Sequence, residues 1–240
     1  MDKVILIANE DAKSPVSEAY RTIRTNIQFS QIAGKEMKAI LLTSATPNEG
    51  KSTTISNLGV VMAQAGHKVV LLDCDFRNPT QHKIFGLPNK GLSNCIATGE
   101  DVMSILQESK VPGLYVLTSG PIAPNPSEIL GSQAFVDVLN RMKEAFDYVL
   151  VDTPPIMPVT DAAVVASKVD GVIMLVASGS ISPQIAKEAK TRLQQAGAHL
   201  LGVVLNKVDV GAGHYGYGYG YGYYYYYGSA GKREKRHTKK

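Results

Sequence analysis

Residues 39–52 read Ala39-Ile40-Leu41-Leu42-Thr43-Ser44-Ala45-Thr46-Pro47-Asn48-Glu49-Gly50-Lys51-Ser52, and this stretch decides the fold. An apolar, strand-like run enters a loop ending in Gly-Lys-Ser, and a helical pattern follows from Lys51 to Gln64. The loop fits the phosphate-loop pattern G-x-x-x-x-G-K-[ST] except at its first position, where Ala45 replaces glycine. In such a loop successive backbone N–H groups cradle phosphate oxygens, and the helix N-terminus adds partial positive charge. The expected nucleotide-binding segment is Ala45, Thr46, Pro47, Asn48, Glu49, Gly50, Lys51, Ser52 and Thr53. Lys51 is placed to reach the β- and γ-phosphates, and the Ser52 hydroxyl to bind Mg²⁺.

Working outward, apolar runs alternate with helical patterns. Lys68–Asp73, Leu114–Leu117, Tyr148–Asp152, Gly171–Val176 and Leu200–Leu205 read as strands. Ser132–Phe146 and Ser182–Ala196 read as helices, the second closed by Gly197. Ser14-Pro15-Val16-Ser17-Glu18 reads as an earlier helix start, with Gly34 as its stop. Residues 78–107 read as short helices and turns. The expected class is α/β: a P-loop NTPase with a mostly parallel sheet and helices on both faces. Ligands of such sheets sit outside the carboxyl ends of the strands, where Ser44, Asp73, Asp152 and Asn206 all fall.

Those strand ends carry the chemistry. Val69–Leu72 ends in Asp73-Cys74-Asp75-Phe76-Arg77, and strand alternation puts Asp73 and Asp75 on one side. One carboxylate suits the metal, the other an attacking oxygen, and the sequence does not say which does which. Val149-Leu150-Val151-Asp152 is a strand ending in a carboxylate for Mg²⁺, as in the Walker B arrangement. Asn206 either meets the edge of an adenine base or forms a plain turn. Arg77 either contacts phosphate, braces the acidic pair, or lies on the surface.

Composition excludes several classes. No apolar run approaches the ~18–20 residues that span a bilayer, and the N-terminus does not look like a secretory signal. Cys74 and Cys95 have no metal-site spacing, which predicts free thiols in a reducing compartment. The chain is +4 overall, but Lys232–Lys240 alone carries six Lys/Arg and one Glu, leaving residues 1–231 at −1. A nucleic-acid face is not expected from a near-neutral body. The terminal basic run is either solvated or held near anionic lipid.

The end of the chain breaks the α/β pattern. Residues 211–228 are nearly all Gly and Tyr, with nine tyrosines: Tyr215, Tyr217, Tyr219, Tyr221, Tyr223, Tyr224, Tyr225, Tyr226 and Tyr227. Without aliphatic periodicity this segment is not expected to join the core. The expected organisation is therefore a P-loop domain over residues 1–210, with a first helix near 15–33, and a tail over 211–240.

Four features together resemble the bacterial tyrosine kinases of capsule and exopolysaccharide synthesis, in their stand-alone cytoplasmic form. They are the loop Ala45–Ser52, the run Leu71–Pro79, Asp152-Thr153-Pro154-Pro155 and the tyrosine-rich tail; the segment Gly120–Glu128 is also similar. The resemblance implies a fold like the ParA/MinD ATPases and an ATP- and Mg²⁺-dependent autokinase with Lys51, Asp73 and Asp75 as catalytic groups. It implies Ser52, Asp73 and Asp152 around the metal, Asn206 on the nucleotide, and the nine tail tyrosines as acceptors. Glu18-x-x-Arg21-x-x-Arg24 matches the family's oligomerisation motif, which implies a ring in which a neighbour phosphorylates each tail. It further implies recruitment to the inner membrane face by a transmembrane chain-length adaptor, and an opposing tyrosine phosphatase. About nine residues, or roughly 30 Å extended, separate Asn206 from Tyr215, so length alone allows transfer in cis. The alternative is a ParA/MinD-like ATPase switch without kinase activity; it lacks that group's early loop lysine, because Thr46 occupies the position.

Overall fold

A computed structural model describes residues 6–30 and 36–209. The tail and its tyrosines, and Gly34, lie outside the described residues. The elements run α1 (Ile7–Glu10), α2 (Pro15–Phe29), β1 (Ala39–Ser44), α3 (Lys51–Gln64), β2 (Val69–Asp73) and α4 (Gln81–Phe85). Then come α5 (Leu92–Thr98), α6 (Val102–Ile105), β3 (Gln107–Glu108), β4 (Leu114–Leu117), α7 (Pro126–Gly131), α8 (Gln133–Ala145) and β5 (Tyr148–Asp152). The described chain closes with α9 (Asp161–Ala166), β6 (Gly171–Ala177), α10 (Pro183–Gln195) and β7 (Leu200–Asn206).

The seven strands are ordered β3-β4-β2-β5-β1-β6-β7, all parallel except the short edge strand β3. The three central strands β2, β5 and β1 are wholly buried, as their unbroken apolar sequences require of a sheet covered on both faces. Alternate side chains feed two cores. One takes Ile40, Leu42, Leu71 and Leu150 against α2 and α3; the other takes Leu41, Val70, Leu72 and Val151 against α8 and α9.

Helix starts follow local chemistry. Ser14, Ser132 and Ser182 each accept a backbone N–H from three residues on, and Pro15 and Pro183 occupy first-turn positions where no N–H is missed. On α8, Phe135, Leu139 and Met142 form the buried stripe at helical spacing. Helix α3 is buried almost throughout, and Gly59 lets it press on the sheet. A Cβ there would lie 3.1 Å from Leu114 and 3.5 Å from Leu150.

Helices cover both faces of the sheet, as expected, and only at its far edge, among the described residues, are Val203 and Leu205 of β7 more than half exposed. Helix α10 precedes β7, and the described residues supply no helix after it.

Candidate active site

The phosphate loop joins β1 to α3, at the carboxyl end of the middle of the sheet. Gly50 caps α3 with φ +99°, a left-handed conformation that favours glycine. Close approach adds a second requirement there, because a Cβ would lie 2.4 Å from the Asn206 amide nitrogen. Asn48 is also left-handed, with φ 63°. The loop is held from inside by Glu49, whose side chain is almost fully buried. Its Oε1 accepts the Thr46 N–H at 2.6 Å and the Thr46 hydroxyl at 3.0 Å. Its Oε2 accepts the Ala177 N–H at 2.9 Å, which fastens the loop to the end of β6.

The end of β7 fastens it from the other side. Asn206 Nδ2 donates to the Glu49 carbonyl at 2.8 Å, and Lys207 Nζ donates to the Asn48 carbonyl at 2.7 Å. Lys207 is the second left-handed non-glycine residue among those described, with φ 54°. One N–H of Nδ2 is thereby committed to the loop, while its second N–H and Oδ1 have no described hydrogen bond.

The carboxylates converge beside this loop. Asp73 and Asp152 end adjacent strands in register, and both are fully buried. Asp73 accepts the Asp75 N–H on Oδ1 at 3.2 Å, and the Thr80 and Gln81 N–H groups on Oδ2 at 3.1 and 3.0 Å. Burial, with the Asp152 charge next to it, pushes its carboxyl well above the usual range. Asp152 is pushed up to about 6, mainly by burial; the nearby Ser52 hydroxyl, Gln81 amide and Lys51 charge work the other way. Asp75 is less deeply placed, and accepts the Asn78 N–H on Oδ1 at 2.9 Å.

One oxygen of Asp152 stands apart. Asp152 Oδ2 accepts Gln81 Nε2 at 2.7 Å, but Oδ1 is buried with no hydrogen-bond partner. A desolvated carboxylate oxygen of this kind is costly unless something satisfies it. With the Ser52 hydroxyl beside it, an all-oxygen donor set suits a hard cation such as Mg²⁺.

Other expected residues land elsewhere. Of the three places expected for Arg77, the structure gives the surface one: its side chain is exposed and forks onto buried Asp161, Nε to Oδ2 at 2.8 Å and Nη2 to Oδ1 at 3.0 Å. Ser127 donates to the same carboxylate at 3.0 Å. Glu18 and Arg21 pair along α2, and Arg21 also donates to the Ala12 carbonyl at 2.7 Å. Arg24 turns inward instead, donating to the Val61 carbonyl of α3 at 2.9 Å. Cys74 and Cys95 are buried free thiols; burial pushes the Cys95 thiol up to about 11. The sequence gives no role to Gln81, Lys207 or Asp161, and places Glu49 in the nucleotide-binding loop without showing that its side chain braces that loop from inside. The Asn-Pro-Thr turn before Gln81 was a usable signal, since a helix start there must find acceptors for its N–H groups.

Comparison with known proteins agrees with this geometry. Residues 37–184 match the family described as AAA domain. The chain is 43% identical over 202 residues to tyrosine-protein kinase YwqD of Bacillus subtilis (strain 168), covering 84% of this chain and 85% of that one. It is 41% identical over 201 residues to tyrosine-protein kinase CpsD of Streptococcus agalactiae, covering 83% and 86%. Among solved structures it resembles the kinase domain of Escherichia coli tyrosine kinase ETK, with TM-score 0.83 and 32% identity over 91% of this chain and 86% of that one. The septum site-determining protein MinD of Pyrococcus horikoshii OT3, solved with Mg-ADP, shares the fold alone: TM-score 0.61 and 20% identity over 70% and 69% of the two chains. A phosphate loop braced from two strands, a buried carboxylate with an open oxygen and these relatives converge: the chain belongs to the bacterial tyrosine-protein kinases, built on the P-loop fold of the MinD ATPases.

Proposed function

We propose that this tyrosine kinase transfers the γ-phosphate of ATP to its own tail tyrosines, Tyr215 to Tyr227, with Mg²⁺ held at Ser52 and Asp152. The open Asp152 Oδ1 is the observation that carries the reading. Lys51 and the loop N–H groups bind the β- and γ-phosphates. Asp73, tied to three backbone N–H groups, braces the metal side through Asp152. Asp75 accepts a described hydrogen bond through Oδ1 alone, so Oδ2 is the atom we assign as base. A tyrosine hydroxyl, with pKa near 10, gives its proton to that carboxylate as its oxygen bonds to the γ-phosphorus. The bond from the γ-phosphorus to the β-bridging oxygen breaks, and ADP leaves. Bound Mg²⁺ supplies neutralisation of the charge on the β- and γ-phosphoryl oxygens. Asn206 Oδ1 accepts from an adenine amino group.

The family resemblance supports the wider setting. The acceptor tail belongs to a neighbouring copy in a ring built on the α2 face bearing Glu18, Arg21 and Arg24. A transmembrane chain-length adaptor recruits the kinase to the inner membrane face, a phosphatase reverses the modification, and the cycle regulates capsule or exopolysaccharide synthesis. No helix among the described residues is long and apolar enough to cross a membrane. Each phosphate adds about −1.5 to −2 charges, so three roughly cancel the +5 of Lys232–Lys240. Phosphorylation then loosens the ring, because charged tails no longer dock beside nucleotide phosphates.

Changing all nine tail tyrosines to Phe tests the acceptor assignment. The expected result is loss of autophosphorylation with ATP turnover retained. Undiminished phosphotyrosine on the core would overturn it.

A further inference from the structure

Gln81, the first residue of α4, is fully buried and stands between the two site carboxylates. Its side-chain Nε2 donates to Asp152 Oδ2 at 2.7 Å and to the Ser52 carbonyl at 3.3 Å. Its Oε1 lies 2.7 Å from the Ser56 hydroxyl, which is also 2.6 Å from the Ser52 carbonyl. Its backbone N–H donates to Asp73 Oδ2. One residue thus links the ends of β2 and β5 to the first turn of α3.

The direction of these bonds matters. A carboxylate turns readily about its last torsion, a broad two-fold rotor. Gln81 occupies Oδ2 of Asp152, so Oδ1 is the oxygen left open. The amide itself is held the right way round. Flipped, it would set its carbonyl oxygen against two acceptors, Asp152 Oδ2 and the Ser52 carbonyl. Gln81 also closes the turn that carries Asp75, whose Oδ1 accepts the Asn78 N–H three residues further on.

We propose that Gln81 is a positioning residue for the metal site: it fixes the Asp152 carboxylate so that Oδ1 is presented beside Ser52, and so sets how strongly Mg²⁺ tightens nucleotide binding. The inference rests on the proposed Mg²⁺ site at Ser52 and Asp152. Groups that orient a ligand from outside the coordination sphere are worth about 10–100-fold in metal affinity.

The test is calorimetric titration of ADP into the full chain, with and without Mg²⁺, for the parent, Gln81→Leu, Gln81→Glu and Ser56→Ala. In the parent, Mg²⁺ tightens ADP binding. In Gln81→Leu and Gln81→Glu that gain shrinks about tenfold or more, while metal-free ADP affinity stays within about twofold. Ser56→Ala keeps Gln81 but frees its amide, and loses a smaller part of the same gain. A merely structural role would instead weaken binding equally with and without metal. Undiminished Mg²⁺ gain in Gln81→Leu overturns the inference. If Gln81→Leu does not fold, undiminished gain in Ser56→Ala does so. If the parent itself shows no Mg²⁺ gain, the metal-site reading fails and takes this inference with it.

Discussion

Replacing Glu49 with Ala removes the internal brace of the phosphate loop, and its cost can be worked from the structure. Three donors lose their acceptor: the Thr46 N–H, the Thr46 hydroxyl and the Ala177 N–H. Thr46 is only half-buried, so water reaches its groups. Ala177 is 1% exposed, and its N–H is left with no partner in a dry site. An orphaned buried donor costs about 1–3 kcal/mol, and losing a hydrogen bond to a charged group about 1.5–3 kcal/mol. We expect a net loss of about 3 kcal/mol, which lowers Tm by about 6–12 °C at this chain length. Glu49→Gln keeps one carbonyl acceptor and loses about half as much. The freed loop must also be ordered when nucleotide binds, so ADP affinity in Glu49→Ala drops about tenfold, equivalent to about 1.4 kcal/mol. Scanning calorimetry of the nucleotide-free protein and titration with ADP measure the two effects separately. A variant that melts within about 1 °C of the parent and binds ADP as tightly refutes the bracing argument. So does a gain in affinity, which would mean that the Glu49 charge repels phosphate more than its bonds shape the loop.

Two further substitutions read the electrostatics. The folded Asp152 carboxyl titrates near 6, above an unfolded value near 3.9. The native state therefore holds its proton more tightly, and metal-free stability falls as pH rises from about 4 to about 6. Asp152→Asn removes this cost, so its urea midpoint matches the parent near pH 4 and exceeds it above about pH 6; a gap that does not grow with pH contradicts the sign. Arg77→Met leaves buried Asp161 with the Ser127 hydroxyl alone among its bonds. Breaking a buried pair costs about 3–5 kcal/mol, but the Arg77 side chain is 43% exposed, and solvent screening reduces this to about 1–2 kcal/mol. Denaturant unfolding should recover part of that in Arg77→Met/Asp161→Asn, and an unchanged single variant contradicts the pairing.

What the sequence makes legible follows from how local each signal is. The phosphate loop, helix α3 from Lys51 to Gln64 and strands β1 and β5 have the bounds that periodicity and strand-ending carboxylates indicate. Short elements carry too few residues to show a period: α7 and α9 have six residues each and β3 only two. Strand order is also out of reach, since a buried apolar run does not name its neighbours. Partners distant in sequence are the main loss at the site. Arg77 and Asp161 are 84 positions apart, and Glu49 and Ala177 are 128 apart. Polar residues in turns read as solvated, so Glu49 and Gln81 give no sign that they are buried. The inward turn of Arg24 is hidden for a related reason: spacing of three sets a helix face, but not which neighbour that face meets.

The most direct test of the central claim is the intact mass of the full chain after incubation with Mg-ATP, beside Lys51→Met and a phosphatase-treated control. The account predicts a ladder of single-phosphate increments, reaching at most nine on peptides spanning Tyr215–Tyr227, absent in the variant and erased by phosphatase. ATP hydrolysis with no phosphate on the tail, alone or with a cytosolic activator peptide, would contradict it.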